Sequence, residues 1–351
     1  MKAAYLTEAK TFELRDVANP AVPDDGLILE VRACGICGSD IRRWKEGPPA
    51  GSGGVVPGHE AAGVAIDVGA NCSKFAVGDN LAIAPDVHCG RCYYCRRGMY
   101  NLCDELHCVG ITPGYPGGFA ERMVLTGRIL TNGIVHKMPD GLSFEHAAVS
   151  ELCCSVLSTQ NRAGAGPGDT VVVLGAGPAG CLLAAIAKRR GARTVVCEPT
   201  AARREMVERF EPDLVIDPSN QDATEAVKEF TKGVGADVVI CANPVAQTQT
   251  QAVEMVRKAG KVFLFGGLPK ADPMTTLDSN VIHYGEIEVI GAFSYHPTMH
   301  ELALDLLSQG SIPAELLITH KFDLTQIKEA YETASSGRAL KVLITIEKEQ
   351  S

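Results

Sequence analysis

Four cysteines crowd into a short stretch as Cys89-Gly90-Arg91-Cys92-Tyr93-Tyr94-Cys95 and Cys103. Four thiolates close a tetrahedral shell around Zn²⁺ with no open position, which is the arrangement of a structural site. Spacing leaves an iron–sulfur cluster or unligated buried cysteines as alternatives. A second set is scattered. Cys37 lies in Gly35-Ile36-Cys37-Gly38-Ser39-Asp40, His59 and Glu60 in Gly58-His59-Glu60-Ala61-Ala62-Gly63, and Glu151 in Ser150-Glu151-Leu152. A thiolate, an imidazole and carboxylates can hold Zn²⁺ while leaving room for water or substrate. By spacing alone the same residues also read as a structural histidine and a small buried cysteine. The third set is Gly175-Ala176-Gly177-Pro178-Ala179-Gly180, a G-x-G-x-x-G turn.

The elements around these residues have two textures. Up to about Val149, short β-rich runs such as Leu27–Arg32, Gly63–Val68 and Asn80–Ala84 alternate with turn residues, which predicts an all-β or barrel-like module. From about Ser150, strands alternate with helices. Thr170–Leu174 is a strand, Ala179–Arg190 a helix, Thr194–Glu198 a strand and Ala201–Phe210 a helix. Further β runs at Asp213–Ile216, Asp237–Cys241, Lys261–Phe265 and Ile287–Gly291 flank a helix at Ala246–Lys258. Short, nearly all-apolar strands alternating with helices predict a doubly wound parallel sheet of α/β class. After Met299 the alternation lapses, and this tail is assigned back to the first module.

The glycine turn therefore follows a strand and opens a helix, with Glu198 ending the next strand. That is the context of a dinucleotide fingerprint. Gly175, Gly177 and Gly180, with Pro178 and Ala179, let the pyrophosphate approach a helix N-terminus. Glu198 would accept hydrogen bonds from the ribose and repel a 2′-phosphate, which favours NAD over NADP. Arg203 and Arg204 follow, either placed to meet a cofactor phosphate.

The 351 residues allow about two domains. A net charge of −9 works against nucleic-acid binding, which needs clustered Lys and Arg. The longest uncharged run, Thr170 to Ala187, is broken by glycines and Pro178 and reads as strand, turn and helix rather than a membrane span. No secretory signal is seen at the N-terminus. Thirteen cysteines in such a chain point to metal ligation and a cytoplasmic setting.

Taken in order, Cys37-Gly38-Ser39-Asp40, Gly58-His59-Glu60, the four-cysteine lobe, Glu151 and Gly175–Gly180 resemble the zinc-containing medium-chain dehydrogenase/reductase family. The polyol (sorbitol) dehydrogenase and threonine dehydrogenase branch looks closest, over nearly the whole chain. The resemblance implies a GroES-like β-barrel catalytic domain of residues 1–149 and 299–351, and a Rossmann NAD-binding domain of residues 150–298. It implies two zinc ions per chain, a structural one on Cys89, Cys92, Cys95 and Cys103 and a catalytic one on Cys37 and His59. Glu60 is then a ligand or swings in and out, and Glu151 binds directly or through water, although Leu152 replaces the branch's proline. Zinc would acidify a secondary alcohol and hydride would pass to NAD. Ser39 matches the hydroxyl that takes the alcohol proton. Arg42 stands where many relatives carry a relay histidine.

Within this reading the substrate is a polyol, a sugar alcohol or its phosphate. Threonine 3-dehydrogenase-like oxidation of an amino alcohol, or reduction of a sugar ketone, are the alternatives. A zinc ribbon in a nucleic-acid-binding protein, or a non-catalytic member of the fold, are readings from other classes. Arg42 and Arg43 are candidate contacts for an anionic substrate and Trp44 a candidate pocket wall. The likeness further suggests a homodimer or homotetramer.

Overall fold

In the computed structural model, which describes residues 1–347, the strand Leu27–Gly35 sits at the centre of the first unit's sheet. This seven-stranded sheet runs in the order Ile318–Asp323, Lys341–Thr345, Leu27–Gly35, Glu60–Val68, Asn80–Ala84 and Ile134–Lys137, with Arg122–Leu125 also paired to Leu27–Gly35. The end of the central strand is held on both sides. It pairs antiparallel with Glu60–Val68, Gly35 opposite Glu60, and with Lys341–Thr345, Leu343 opposite Gly35. The apolar residues of these strands pack with Trp44, Phe119 and Tyr331 into one core.

This unit comprises Met1–Cys154 and the chain from Tyr295. It is not all-β. Helices Gly38–Glu46, Gly127–Asn132 and Phe144–Ala148 lie between its strands. The last two begin at short polar caps: Thr126 Oγ1 accepts from the Ile129 N–H, and Ser143 Oγ from the His146 N–H. These are brief helices in a Gly- and Val-rich stretch, so hydrophobic periodicity does not announce them.

The second unit, Ser155–Ser294, is a six-stranded parallel sheet. Its order is Leu214–Ile216, Arg193–Cys197, Thr170–Leu174, Ala236–Cys241, Val256–Leu264 and Glu288–Gly291. Thr170–Leu174 is buried at every position, as a strand covered on both faces must be. The order reverses beside it, the switch point where such sheets bind ligands. One expected helix is shorter: Ala246–Met255 ends where Val256 enters the sheet opposite Ala236, so Val256 to Lys258 are strand. The division between units falls inside the helix Ser150–Ala163, which the sequence pattern does not predict. Among the described residues no helix is long and apolar enough to cross a membrane.

A polar chain runs from buried Ser150 and His300 in the first unit out to exposed Glu301. Ser150 Oγ donates to the Ala147 carbonyl at 2.6 Å and lies 2.9 Å from His300 Nε2. His300 Nδ1 in turn meets His136 Nδ1 at 2.9 Å, and His136 Nε2 faces Glu301 at 3.5 Å. With its hydroxyl proton committed, Ser150 accepts from His300, which leaves His300 Nδ1 as the acceptor of the His136 N–H. Complete burial, then the neighbouring His136, push His300 down to about 3. The unfolded chain binds a proton on this imidazole below pH 6.5, whereas the native state refuses it down to about 3. Stability is therefore full above that range and falls as pH drops through it, by up to about 1.4 kcal/mol per pH unit. Urea midpoints between pH 7 and 4 should fall less steeply in His300→Gln than in wild type; parallel slopes would show that His300 does not set the acid limit.

Candidate active site

Cys37 is the N-cap of the helix Gly38–Glu46, directly after the central strand. His59 immediately precedes the strand headed by Glu60, and Glu151 lies in the first turn of Ser150–Ala163. Strand pairing and this helix bring one donor atom from each of Cys37, His59, Glu60 and Glu151 within 4.8 Å of one another. His59 and Glu60 are buried, at 2% and 0% exposure. Enclosed together, the two carboxylates repel each other, and a thiolate beside them would add to that repulsion. Burial, then the Glu60 charge, push Glu151 up to about 7. A divalent cation among these donors removes that repulsion, and the mix of S, N and O atoms suits zinc.

Each donor also has a partner that orients it. Asp40 Oδ2 accepts the Cys37 N–H at 2.9 Å, while Asp40 Oδ1 lies 3.3 Å from His59 Nδ1 without a well-aligned hydrogen bond. Burial disfavours the imidazolium, yet Asp40 and then Cys37 hold the His59 pKa well above the usual value. Tyr295 Oη donates to Glu151 Oε1 at 2.8 Å. Lys341 Nζ lies 2.7 Å from both Glu60 oxygens. Ser39 Oγ sits 3.5 Å from His59 Nε2. Asp40, Tyr295 and Lys341 were not foreseen as site residues. Asp40 had a signal, since an acid three residues after an N-cap is a capping pattern. Lys341 and Tyr295 had none, being far away in sequence.

The second metal-competent group is Cys89, Cys92, Cys95 and Cys103, again with sulfurs within 4.8 Å. Backbone N–H groups turn toward them: Cys89 N–H to Cys103 Sγ at 3.2 Å, Cys92 N–H to Cys89 Sγ at 3.4 Å, and Cys95 N–H to Cys92 Sγ at 3.4 Å. Donors aimed at sulfur favour thiolates, and the Cys95 and Asp104 N–H groups draw Cys92 down to about 6. The donor set is sulfur only and needs no further ligand to close.

In the second unit Gly177 is the N-cap and Pro178 the first residue of the helix Pro178–Arg189. Gly175 has φ of 111°, open to glycine, and a Cβ on Gly180 would lie 1.9 Å from the Gly175 carbonyl oxygen. Ala176 and Ala179 complete the turn. Glu198 is 3% exposed, with Oε2 accepting the Ala176 N–H at 2.8 Å and Oε1 the Thr200 N–H at 2.9 Å. Arg204 is committed elsewhere, to the Glu198 and Pro199 carbonyls and to Asp217. Arg203 Nε is buried with no hydrogen-bond partner, a donor left for something else.

Arg42 is exposed and Arg43 half-buried on the helix that carries Ser39, three and four residues beyond it and so on its face. Among the described residues neither side chain has a hydrogen bond or ion pair. Trp44 corrects an expectation. It is 5% exposed and packs on Tyr331 with ring centroids 5.7 Å apart. It faces the core, one residue round the helix from Arg43, and is not a pocket wall.

A dinucleotide turn at a parallel switch point, with a mixed-donor metal group on a separate unit, defines the class of metal-dependent dehydrogenases. Known proteins agree with this class. Residues 23–140 match the alcohol dehydrogenase GroES-like domain and residues 178–309 the zinc-binding dehydrogenase domain. D-arabitol-phosphate dehydrogenase of Enterococcus avium is 34% identical over 94% of this chain and 92% of its own length. Sorbitol dehydrogenase of Bacillus subtilis is 32% identical over 98% and 97%. A solved chain from Sinorhizobium meliloti 1021 with bound NADP superposes at a TM-score of 0.89, 29% identical and 98% covered on both sides. The chain belongs to the zinc-binding alcohol dehydrogenase family and is an NAD(P)-linked oxidoreductase of its polyol dehydrogenase branch.

Proposed function

We propose that this enzyme oxidises a secondary hydroxyl of a polyol or sugar-derived alcohol to a ketone, with NAD as hydride acceptor. The convergence of Cys37, His59, Glu60 and Glu151 carries the reading. The relatives named for arabitol phosphate and sorbitol support the substrate class. Cys37 and His59, with carboxylate help, would hold the catalytic zinc, and the four-cysteine group a structural one. Zinc bound there acts as a Lewis acid that lowers the pKa of a hydroxyl presented to it. Asp40, 3.3 Å from His59 Nδ1, is the acidic neighbour that would take up a hydrogen bond from that nitrogen once the other binds metal. Ser39, 3.5 Å from His59 Nε2, would take the substrate's hydroxyl proton. Arg42 cannot pass it on, because a guanidinium does not give up its proton. The exit then lies through Glu60, Glu151, the cofactor ribose or water. Thirteen free cysteines fit a reducing cytoplasm, and the family likeness a homodimer or homotetramer.

Elemental analysis should find two zinc ions per chain. Cys37→Ala should lose one of them and abolish turnover, while NAD titration by fluorescence stays at the wild-type affinity. One zinc or none in active enzyme would overturn the two-site reading.

The preference for NAD rests on the charge of Glu198, held in place by the two N–H groups it accepts from. Because it also supports the turn, the milder probe is Glu198→Gln rather than alanine, since its one carbonyl oxygen keeps one of the two acceptors. The ratio of kcat/KM for NAD over NADP should narrow about tenfold or more in this variant, the loss of one charge–charge repulsion. An unchanged ratio, or a wild type that prefers NADP as its Sinorhizobium neighbour binds it, would remove that role.

The unpaired Arg42 and Arg43 favour a phosphorylated or otherwise anionic polyol, with Arg43 as the contact. Comparing kcat/KM for a polyol and its phosphate, Arg43→Ala should lose about tenfold or more on the phosphate alone, the worth of one charge-assisted hydrogen bond. Equal losses on both substrates would mean that Arg43 recognises no anion.

A further inference from the structure

A cavity of about 520 Å³ opens in the first unit between the strand Ile134–Lys137, the loop before Asn80–Ala84 and the helix Thr298–Ser308. That is the size of a small-ligand site. None of its lining residues is a donor of either metal-competent group. Its floor is apolar, with the buried side chains of Phe75 and Leu304. Its charged residues are divided by element. Lys74 and Lys137 come from the loop and the strand. Glu301 and Asp305 come from the helix, one turn apart and so on one face.

These opposite charges do not satisfy one another. Lys137 is committed to Asp79, at 2.8 Å. Lys74 Nζ lies 5.1 Å from the centroid of the Phe75 ring and donates to the Leu130 and Val135 carbonyls at 3.2 and 3.4 Å. An ammonium carries three protons, so one remains. Burial lowers the Lys74 pKa and the Glu301 charge opposes that shift, yet among the described residues the two form no ion pair. Glu301 Oε1 instead faces His136 Nε2 at 3.5 Å. Asp305 has no side-chain partner among the described residues.

His136 adds a third acceptor. Its Nδ1 proton goes to His300, so the neutral ring turns an unprotonated Nε2 toward Glu301. Burial holds His136 below its usual pKa, which keeps the ring neutral. Two acceptors facing each other repel unless a donor sits against both. The helix side of the cavity therefore suits a cation with N–H protons, the Lys74 side an anion, and the floor a hydrocarbon chain.

We propose that this cavity is a binding site for a small zwitterion with an apolar side chain, the chemistry of an aliphatic α-amino acid. The ammonium donates to Glu301 and to His136 Nε2. The carboxylate accepts the remaining Lys74 proton, and the side chain covers Phe75 and Leu304. Asp305 adds negative charge at the ammonium end. A bare amine or a bare carboxylate leaves one side of the cavity unmatched.

Calorimetric titration of the full-length, zinc-loaded enzyme with L-leucine tests this. Isoamylamine, which lacks the carboxylate, and isocaproate, which lacks the ammonium, are titrated beside it. Leucine should bind saturably at one site per chain, and each analogue about tenfold or more weaker, the worth of one charge-assisted hydrogen bond. Glu301→Gln and Lys74→Met should each weaken leucine to the same extent. Glu13→Gln, which breaks an exposed ion pair with Arg15 elsewhere on the unit, should leave its affinity unchanged. Absence of saturable leucine binding overturns the proposal, as does an analogue that binds as tightly as leucine. If Lys74→Met does not fold, Glu301→Gln, at an exposed helix position, decides together with the analogues: unchanged leucine affinity in that variant means that the ligand does not sit in this cavity.

Discussion

One antiparallel register underlies the metal-competent site. Gly35 opposite Glu60 and Leu343 opposite Gly35 bring three remote stretches of chain to the same end of one sheet. Side chains alternate faces along a strand, so a slip of one residue would turn Glu60 away and put Ala61 in its place. The central strand is buried along most of its length, which makes such a slip expensive, since every apolar side chain would change face as well. The precision of the donor group is thus a by-product of core packing that would exist without any metal.

Electrostatics then adds a second layer. Enclosing a thiol, an imidazole and two carboxylates calls for compensation, and the chain supplies three partners for the four groups. Asp40 faces the imidazole and accepts from the backbone of Cys37, Tyr295 donates to Glu151, and Lys341 pairs with Glu60. These partners come from a helix, a loop and a strand, so the charge state of the group depends on the whole unit being folded. The thiol group around Cys89 is built on the opposite plan. Its four sulfurs are close in sequence and its donors are backbone N–H groups of the same loop, so it depends on little beyond itself.

That contrast also explains what was legible in the sequence. The four-cysteine lobe, the glycine turn and the strand–helix alternation are local patterns with fixed spacing, and they could be read directly. Cys37, His59, Glu60 and Glu151 share no spacing and were assembled only through likeness to a family, yet the structure brings them together. Lys341 opens an apolar strand and looks like a surface lysine until the register with Gly35 is known. Trp44 misled for a related reason. Its neighbours on the helix face Ser39, but a turn of about 100° per residue sends the indole into the core. The helix Ser150–Ala163 went unseen because its cysteines, serines and threonine give a weak periodic signal.

Under the role proposed for Glu198, cofactor choice is tied to the stability of the turn. Its two oxygens hold the amides of Ala176 and Thr200, so a residue suited to reading the cofactor is also the brace of the turn that seats it. If Glu198 sets the cofactor preference as proposed, that preference is not an independently adjustable trait. A glutamine there would keep one acceptor and leave one of the two amides without a partner, and a smaller side chain would surrender both hydrogen bonds along with the charge. A lineage or an engineer altering the preference would have to rebuild the turn in the same move, most directly with a new acceptor for the Ala176 amide, before the half-buried Arg203 could be turned to a phosphate.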